Sequence, residues 1–208
     1  MLPPLLKEIR PELREYFGLS SDTLWRGKDI LIIVGQNGAG KSMVRRMLKS
    51  GAKERKIDVC DFSQERRCGG GMANAFIYGD ESWESTGYIT LKGFRTSFTH
   101  PPESDRIYIW DEPEIGLSEE TQCGVTRLIR DTMKEPPAHL LGCVFMTHSR
   151  LFVQGLIGYP RLAFIDLDGT YDTVYSWAAR PVVRADLDAV LERGLTRFRE
   201  ISKMLKKP

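Results

Sequence analysis

No apolar run in this sequence approaches the length needed to span a membrane. The first residues, Met1-Leu2-Pro3-Pro4-Leu5-Leu6-Lys7-Glu8, turn charged almost at once. They lack a basic stretch followed by a long apolar one and do not read as a secretory signal peptide. A cytoplasmic location is expected, with no membrane segment. Cysteine is scarce: Cys60, Cys68, Cys123 and Cys143 form no C-x-x-C pair. That spacing argues against a zinc site and leaves free thiols as the expectation. Charge of one sign is lacking too. The formal net charge is +2, so bulk charge neither predicts nor excludes a nucleic-acid partner. Internal repeats, heptad runs and long linkers are missing. At 208 residues the chain can bury one sizeable core and is too short for two ordinary domains. A single domain over 1–208 is expected.

What the sequence does have is Gly35-Gln36-Asn37-Gly38-Ala39-Gly40-Lys41-Ser42, directly after the apolar run Asp29-Ile30-Leu31-Ile32-Ile33-Val34. Strand, glycine loop and helix start follow in that order. The pattern G-x-x-x-x-G-K-S in this context is a phosphate-binding loop. Its glycines free the backbone to turn its N–H groups toward a phosphate, aided by the positive end of the next helix. Lys41 is expected on the β- and γ-phosphates and Ser42 on Mg²⁺. Candidate nucleotide contacts are Gly35, Gln36, Asn37, Gly38, Ala39, Gly40, Lys41, Ser42 and Met43.

Residues 2–17 have helical spacing, with Pro11 opening a second short helix and Gly18 capping it. Trp25, before the first strand, can stack on adenine or close the edge of the core. The helix from Lys41 is expected to end at Gly51. Residues 56–62 read as a strand, 75–78 as a short one, and a helix is expected after Ser85-Thr86-Gly87. Residues 106–110 and 140–146 are apolar strands, and Ser118 caps a helix reaching Met133. Residues 162–166 and 171–177 flank Asp168-Gly169 and read as a β-hairpin. Residues 184–205 form an amphipathic helix whose apolar side (Leu187, Val190, Leu191, Leu195, Phe198, Ile201, Leu205) is expected to dock on the body. Its basic side, with Arg193, Arg197, Arg199, Lys203, Lys206 and Lys207, is either solvated or a nucleic-acid contact.

Alternating strands and helices predict an α/β fold, a P-loop NTPase with a mostly parallel central sheet flanked by helices, a C-terminal β-hairpin and an amphipathic helix. Ligands in such folds sit at the carboxyl ends of strands. Three strand ends carry useful groups: the glycine loop, Asp111-Glu112, and His148. Asp111 can hold Mg²⁺ opposite Ser42. Glu112 can orient and polarise an attacking water. His148 can donate to a γ-phosphate.

Gly-Gln-Asn-Gly-Ala-Gly-Lys-Ser, then Ile-Trp-Asp-Glu-Pro-Glu-Ile-Gly-Leu, then Met-Thr-His-Ser resembles the ABC-class ATPases. The nearest resemblance is to their soluble branch of SMC-type, RecF-type and OLD-type heads and small phage or bacterial AAA-family ATP-binding proteins. The resemblance spans Gly35 to Ser149. It implies Lys41 and Ser42 as phosphate lysine and Mg²⁺ ligand, Asp111 as the Walker B aspartate, Glu112 as catalytic glutamate and His148 as switch histidine. It implies Gln64 as a Q-loop glutamine on Mg²⁺ and the water. Ser85 and Gly87 resemble a degenerate signature motif capping ATP from a second subunit, or an ordinary helix start. Leu117-Ser118 stands where the family often has Leu-Asp. ATP and Mg²⁺ are the implied cofactors, an ATP-dependent homodimer the implied assembly, and DNA or a protein the implied partner. The implied role is an ATP-hydrolysing switch in DNA-related processes such as repair, recombination or phage biology. A transporter or regulatory subunit with little hydrolysis is the alternative. Asp166-Leu167-Asp168-Gly169-Thr170 resembles a HAD phosphatase motif, but too little chain follows for that domain.

Overall fold

The computed structural model describes residues 11–17, 29–63, 85–100 and 102–206. Five strands among them build one parallel sheet: β1 (Asp29–Val34), β2 (Asp58–Phe62), β3 (Arg106–Asp111), β4 (Leu140–Thr147) and β5 (Leu162–Asp166). Their spatial order is β2-β3-β4-β1-β5. The described helices are α1 (Pro11–Tyr16), α2 (Lys41–Glu54), α3 (Thr86–Thr99), α4 (Glu119–Lys134), α5 (Arg150–Leu156), α6 (Val174–Ala178) and α7 (Leu187–Lys206). The expected α/β fold with a parallel sheet flanked by helices is the one found. Gln64, Trp25, Gly18, Cys68 and the strand expected at 75–78 lie outside the described residues.

Every residue of β1 is buried, because the sheet is covered on both faces and the run Ile-Leu-Ile-Ile-Val suits both. Alternation splits its side chains between two cores. Ile30, Ile32 and Val34 pack with Phe62, Phe94, Trp110 and Phe145. Leu31 and Ile33 pack with Ile107, Ile109, Val144 and Met146, and with Val44 and Leu48 of α2. On the first face the Trp110 ring is stacked between Phe62 (3.9 Å) and Phe94 (3.7 Å). This sandwich immobilises the residue before Asp111, so the carboxylate leaves a rigid strand tip.

Three local expectations fail for identifiable reasons. Helix α2 runs through Gly51 to Glu54, since Gly51 and Ala52 are buried and the turn falls later. Lys56, not the glycine, takes the positive φ of 56°. The C-terminal β-hairpin is absent. Residues 162–166 form β5, which pairs in parallel with β1 from Ile30↔Leu162 to Val34↔Asp166. The turn itself is real, because the Asp166 carboxylate accepts from the amides of Asp168, Thr170 and Tyr171. The chain then enters α6 through a capping box of Thr173 and Ser176. The third failure is α7. Ile201 is buried, but Leu187 (74%), Leu191, Leu195 (58%) and Phe198 are exposed. The helix lies instead on the glycine loop, which offers it backbone rather than apolar side chains. A Cβ on Gly38 would come within 2.8 Å of the Gly194 Cα.

Candidate active site

Parallel pairing brings the tips of β1, β3 and β4 into register, with Val34 beside Thr147 and Asp111 beside Met146. The glycine loop, Asp111-Glu112 and His148 therefore emerge side by side. Asn37 to Met43, Asp111, Glu112 and His148 line one cavity of about 540 Å³. Residues separated by a hundred positions in sequence thus converge as expected.

Gly40 stands at the N-cap of α2 with φ 96°, a conformation that favours glycine, and a Cβ there would strike the Phe17 ring at 2.6 Å. Lys41 is buried at the helix start and donates to the carbonyls of Gly35 (3.0 Å) and Gln36 (3.4 Å). Its Nζ also lies 2.8 Å from His148 Nε2. Burial pulls the ammonium below the ordinary lysine range, and Glu112, Asp111, Asp168 and Glu114 work against that shift.

Asp111 sits 3.7 Å from the Arg45 guanidinium, which also reaches the buried Asp61 at 3.4 Å. Burial raises the Asp111 carboxyl, with Arg45 opposing. Glu112 follows with φ 54°, its amide held by the Met146 carbonyl at 2.8 Å. Its carboxylate lies within 3.4 Å of His148 Nε2.

Magnesium prefers hard oxygen donors and shares its shell with phosphates and water. The donors fit. The Ser42 hydroxyl and the Asp111 carboxylate line the cavity. So does Ser63, buried with no hydrogen-bond partner for its Oγ.

Several contributors carry no local sequence signal. Glu114 accepts from Thr147 Oγ1 (2.8 Å) and from the amides of His148 (3.0 Å) and Ser149 (3.2 Å). It thereby fixes the turn bearing His148. Asp168 accepts from the Gln36 amide at 2.7 Å and pairs with Arg193 and Arg197 of α7. Arg197 also donates to the carbonyls of Ala39 and Leu167. Two arginines of the expected basic face are therefore turned to the loop, while Arg199 and Lys203 remain exposed.

Ser85 caps α3, accepting from the Tyr88 amide. Gly87 is pressed against the backbone of Gly116, where a Cβ would lie 2.1 Å from the carbonyl oxygen. Neither residue lines the loop cavity within one chain.

No protein-family model and no curated protein matches the chain. Solved structures resemble it distantly. A bacterial ABC transporter cassette, solved as a dimer, shares 13% identity over 68% of this chain and 83% of its own, with a TM-score of 0.46. An archaeal ribosome recycling factor, solved with an archaeal ribosomal stalk protein, shares 15% identity over 61% of this chain and 34% of its own, with a TM-score of 0.40. A helicase from Candida albicans shares 13% over 80% of this chain and 40% of its own, with a TM-score of 0.36.

Proposed function

We propose that the chain binds ATP with Mg²⁺, hydrolyses it, and uses the cycle as a switch by dimerising around the nucleotide. The observation that carries this reading is the convergence of Lys41, Asp111, Glu112 and His148 on the cavity of the glycine loop. The loop amides and the α2 N-terminus hold the phosphates. Magnesium, held by Ser42 and Asp111, would supply positive charge to the β- and γ-phosphate oxygens. Gln64 would join that shell. Lys41 trades His148 for phosphate oxygens, and His148 is left facing the γ-phosphoryl group. Glu112 orients the attacking water.

A second cavity, of about 900 Å³, shares Asn37, Glu112 and His148 with the first. Displacement at phosphorus is in line, with nucleophile and leaving group on opposite sides. Glu112 and His148 line both cavities, and the attacking water would enter from the second. Ser85 and Gly87 of a second copy would cap the nucleotide across a dimer. A role on DNA, or on a protein partner, in repair, recombination or phage biology rests on the sequence resemblance and the exposed Arg199 and Lys203.

Glu112→Gln tests the reading. Turnover is expected to fall by about 10²–10⁴-fold, with an ATP-bound dimer accumulating in sedimentation. A variant that stays monomeric with ATP would remove the dimer from the proposal. Salt-dependent binding of duplex DNA, with and without ATP, checks the nucleic-acid role.

A further inference from the structure

Ser63 is 1% exposed, and its Oγ has no hydrogen-bond partner. A buried hydroxyl left unpaired is destabilising, and such groups in folded proteins usually await a water, ion or ligand. Its position says which. β2 and β3 pair in parallel, with Asp61 opposite Ile109 and Phe62 opposite Trp110. Continuing that register by one residue sets Ser63 beside Asp111 at adjacent strand tips, about 5 Å apart along the sheet. Alternation gives both the same face. Phe62 and Trp110 stack together on one side. Asp61 and Asp111 both meet Arg45 of α2 on the other. Ser63 shares that second side, and with Ser42, Asp111 and the glycine loop it lines the same cavity.

We propose that Ser63 is a further protein oxygen for the divalent cation, beside Ser42, Asp111 and Gln64, and that it would engage a metal-bound water. With no partner among the described protein atoms, neither Ser42 nor Asp111 satisfies it directly, and the cavity it lines is where a partner would come from. Mg²⁺ keeps several waters when bound, and each bound water has two protons to donate. Asp111 accepts only, so a neighbouring hydroxyl that both accepts and donates completes the set. Ser63 is a positioning residue: it touches the hydration shell, not the reacting phosphorus. The inference rests on the nucleotide reading above.

The test uses full-length protein and a non-hydrolysed ATP analogue. Nucleotide affinity is measured in EDTA and across a Mg²⁺ titration, and Mn²⁺ binding to the nucleotide complex is followed by electron paramagnetic resonance. Ser63→Ala is expected to weaken Mg²⁺ and Mn²⁺ about threefold to tenfold, the scale of one lost hydrogen bond. Its affinity for the analogue in EDTA stays at the wild-type value. Its melting temperature without nucleotide is not lowered, since the hydroxyl it loses has no partner. Ser63→Cys, whose thiol is a weak hydrogen-bond partner for water, is expected to weaken both ions to a similar degree. Unchanged metal affinity in both variants would overturn the assignment of Ser63 alone. Wild-type protein that binds no analogue with or without metal would overturn the phosphate-loop reading along with it.

Discussion

Lys41 Nζ lies 2.8 Å from His148 Nε2, and the same ring nitrogen lies 3.4 Å from Glu112 Oε1. An ammonium donates only, so the ring nitrogen nearest it accepts. The imidazole thus holds the lysine beside the glycine loop. A γ-phosphate would take the lysine and release the imidazole. His148→Ala is expected to lower turnover by about 10²-fold or more while retaining ATP binding, whereas Lys41→Ala loses binding. Equilibrium binding beside steady-state turnover separates the two.

Glu112 holds a left-handed backbone conformation at φ 54°. For a residue with a Cβ that conformation costs about 1–2 kcal/mol, partly offset in glycine by its freer unfolded state. Glu112→Gly is expected to stabilise the nucleotide-free protein by about 0.5–1 kcal/mol and to abolish turnover. Denaturant unfolding and a phosphate-release assay check both halves.

Glu114 makes three hydrogen bonds to the turn carrying His148. Glu114→Ala strands those donors and is expected to destabilise by about 1–3 kcal/mol. It should also cut turnover by displacing His148. Glu114→Gln keeps one acceptor oxygen and should fall between the two. Unfolding midpoints with turnover on the three proteins form the comparison.

Gly87 meets the carbonyl oxygen of Gly116 at a distance no Cβ could tolerate. Gly87→Ala must push α3 away from the loop after Glu112. A loss of about 1–3 kcal/mol is expected, as for other overpacked sites. Thermal unfolding reads it without nucleotide, so any dimer role of this residue is measured separately.

Tyr16 donates to Glu200 and joins α1 to α7. Its phenol is pushed up from 10.0 to about 12, by burial first and then by Glu200. The folded state therefore holds the proton more tightly. The associated stability is present below pH 10 and is lost as pH rises through about 12. The difference in unfolding stability between wild type and Tyr16→Phe is expected to shrink between pH 10 and pH 12.

The parts of the site legible in sequence are those written as local patterns. β1 announces itself because both of its faces are buried, and Asp111-Glu112 because an apolar strand ends in two acids. Contacts between distant segments leave no such trace. Glu114 looks like one more acid after Pro113 until β4 brings Thr147 and His148 to it. Asp168 sits in a turn that sequence reads correctly, yet its service to the Gln36 amide depends on β5 lying beside β1. That placement also explains the false hairpin, since a tight turn after 166 implies a returning strand only if nothing else claims β5. The exposed stripe of α7 departs from expectation because periodicity shows that a helix has two sides, not which one its neighbour wants.

The strand order has a consequence for how the molecule is made. β1 pairs with β4 and β5, which begin more than a hundred residues later at Leu140 and Leu162. A nascent chain must reach Asp166 before the strand bearing the glycine loop has both neighbours. Until then its edges are open and its apolar side chains uncovered. Pairings of such long sequence separation are slow to form. The phosphate loop, early in the sequence, is thus set to be among the last features of the fold to take shape.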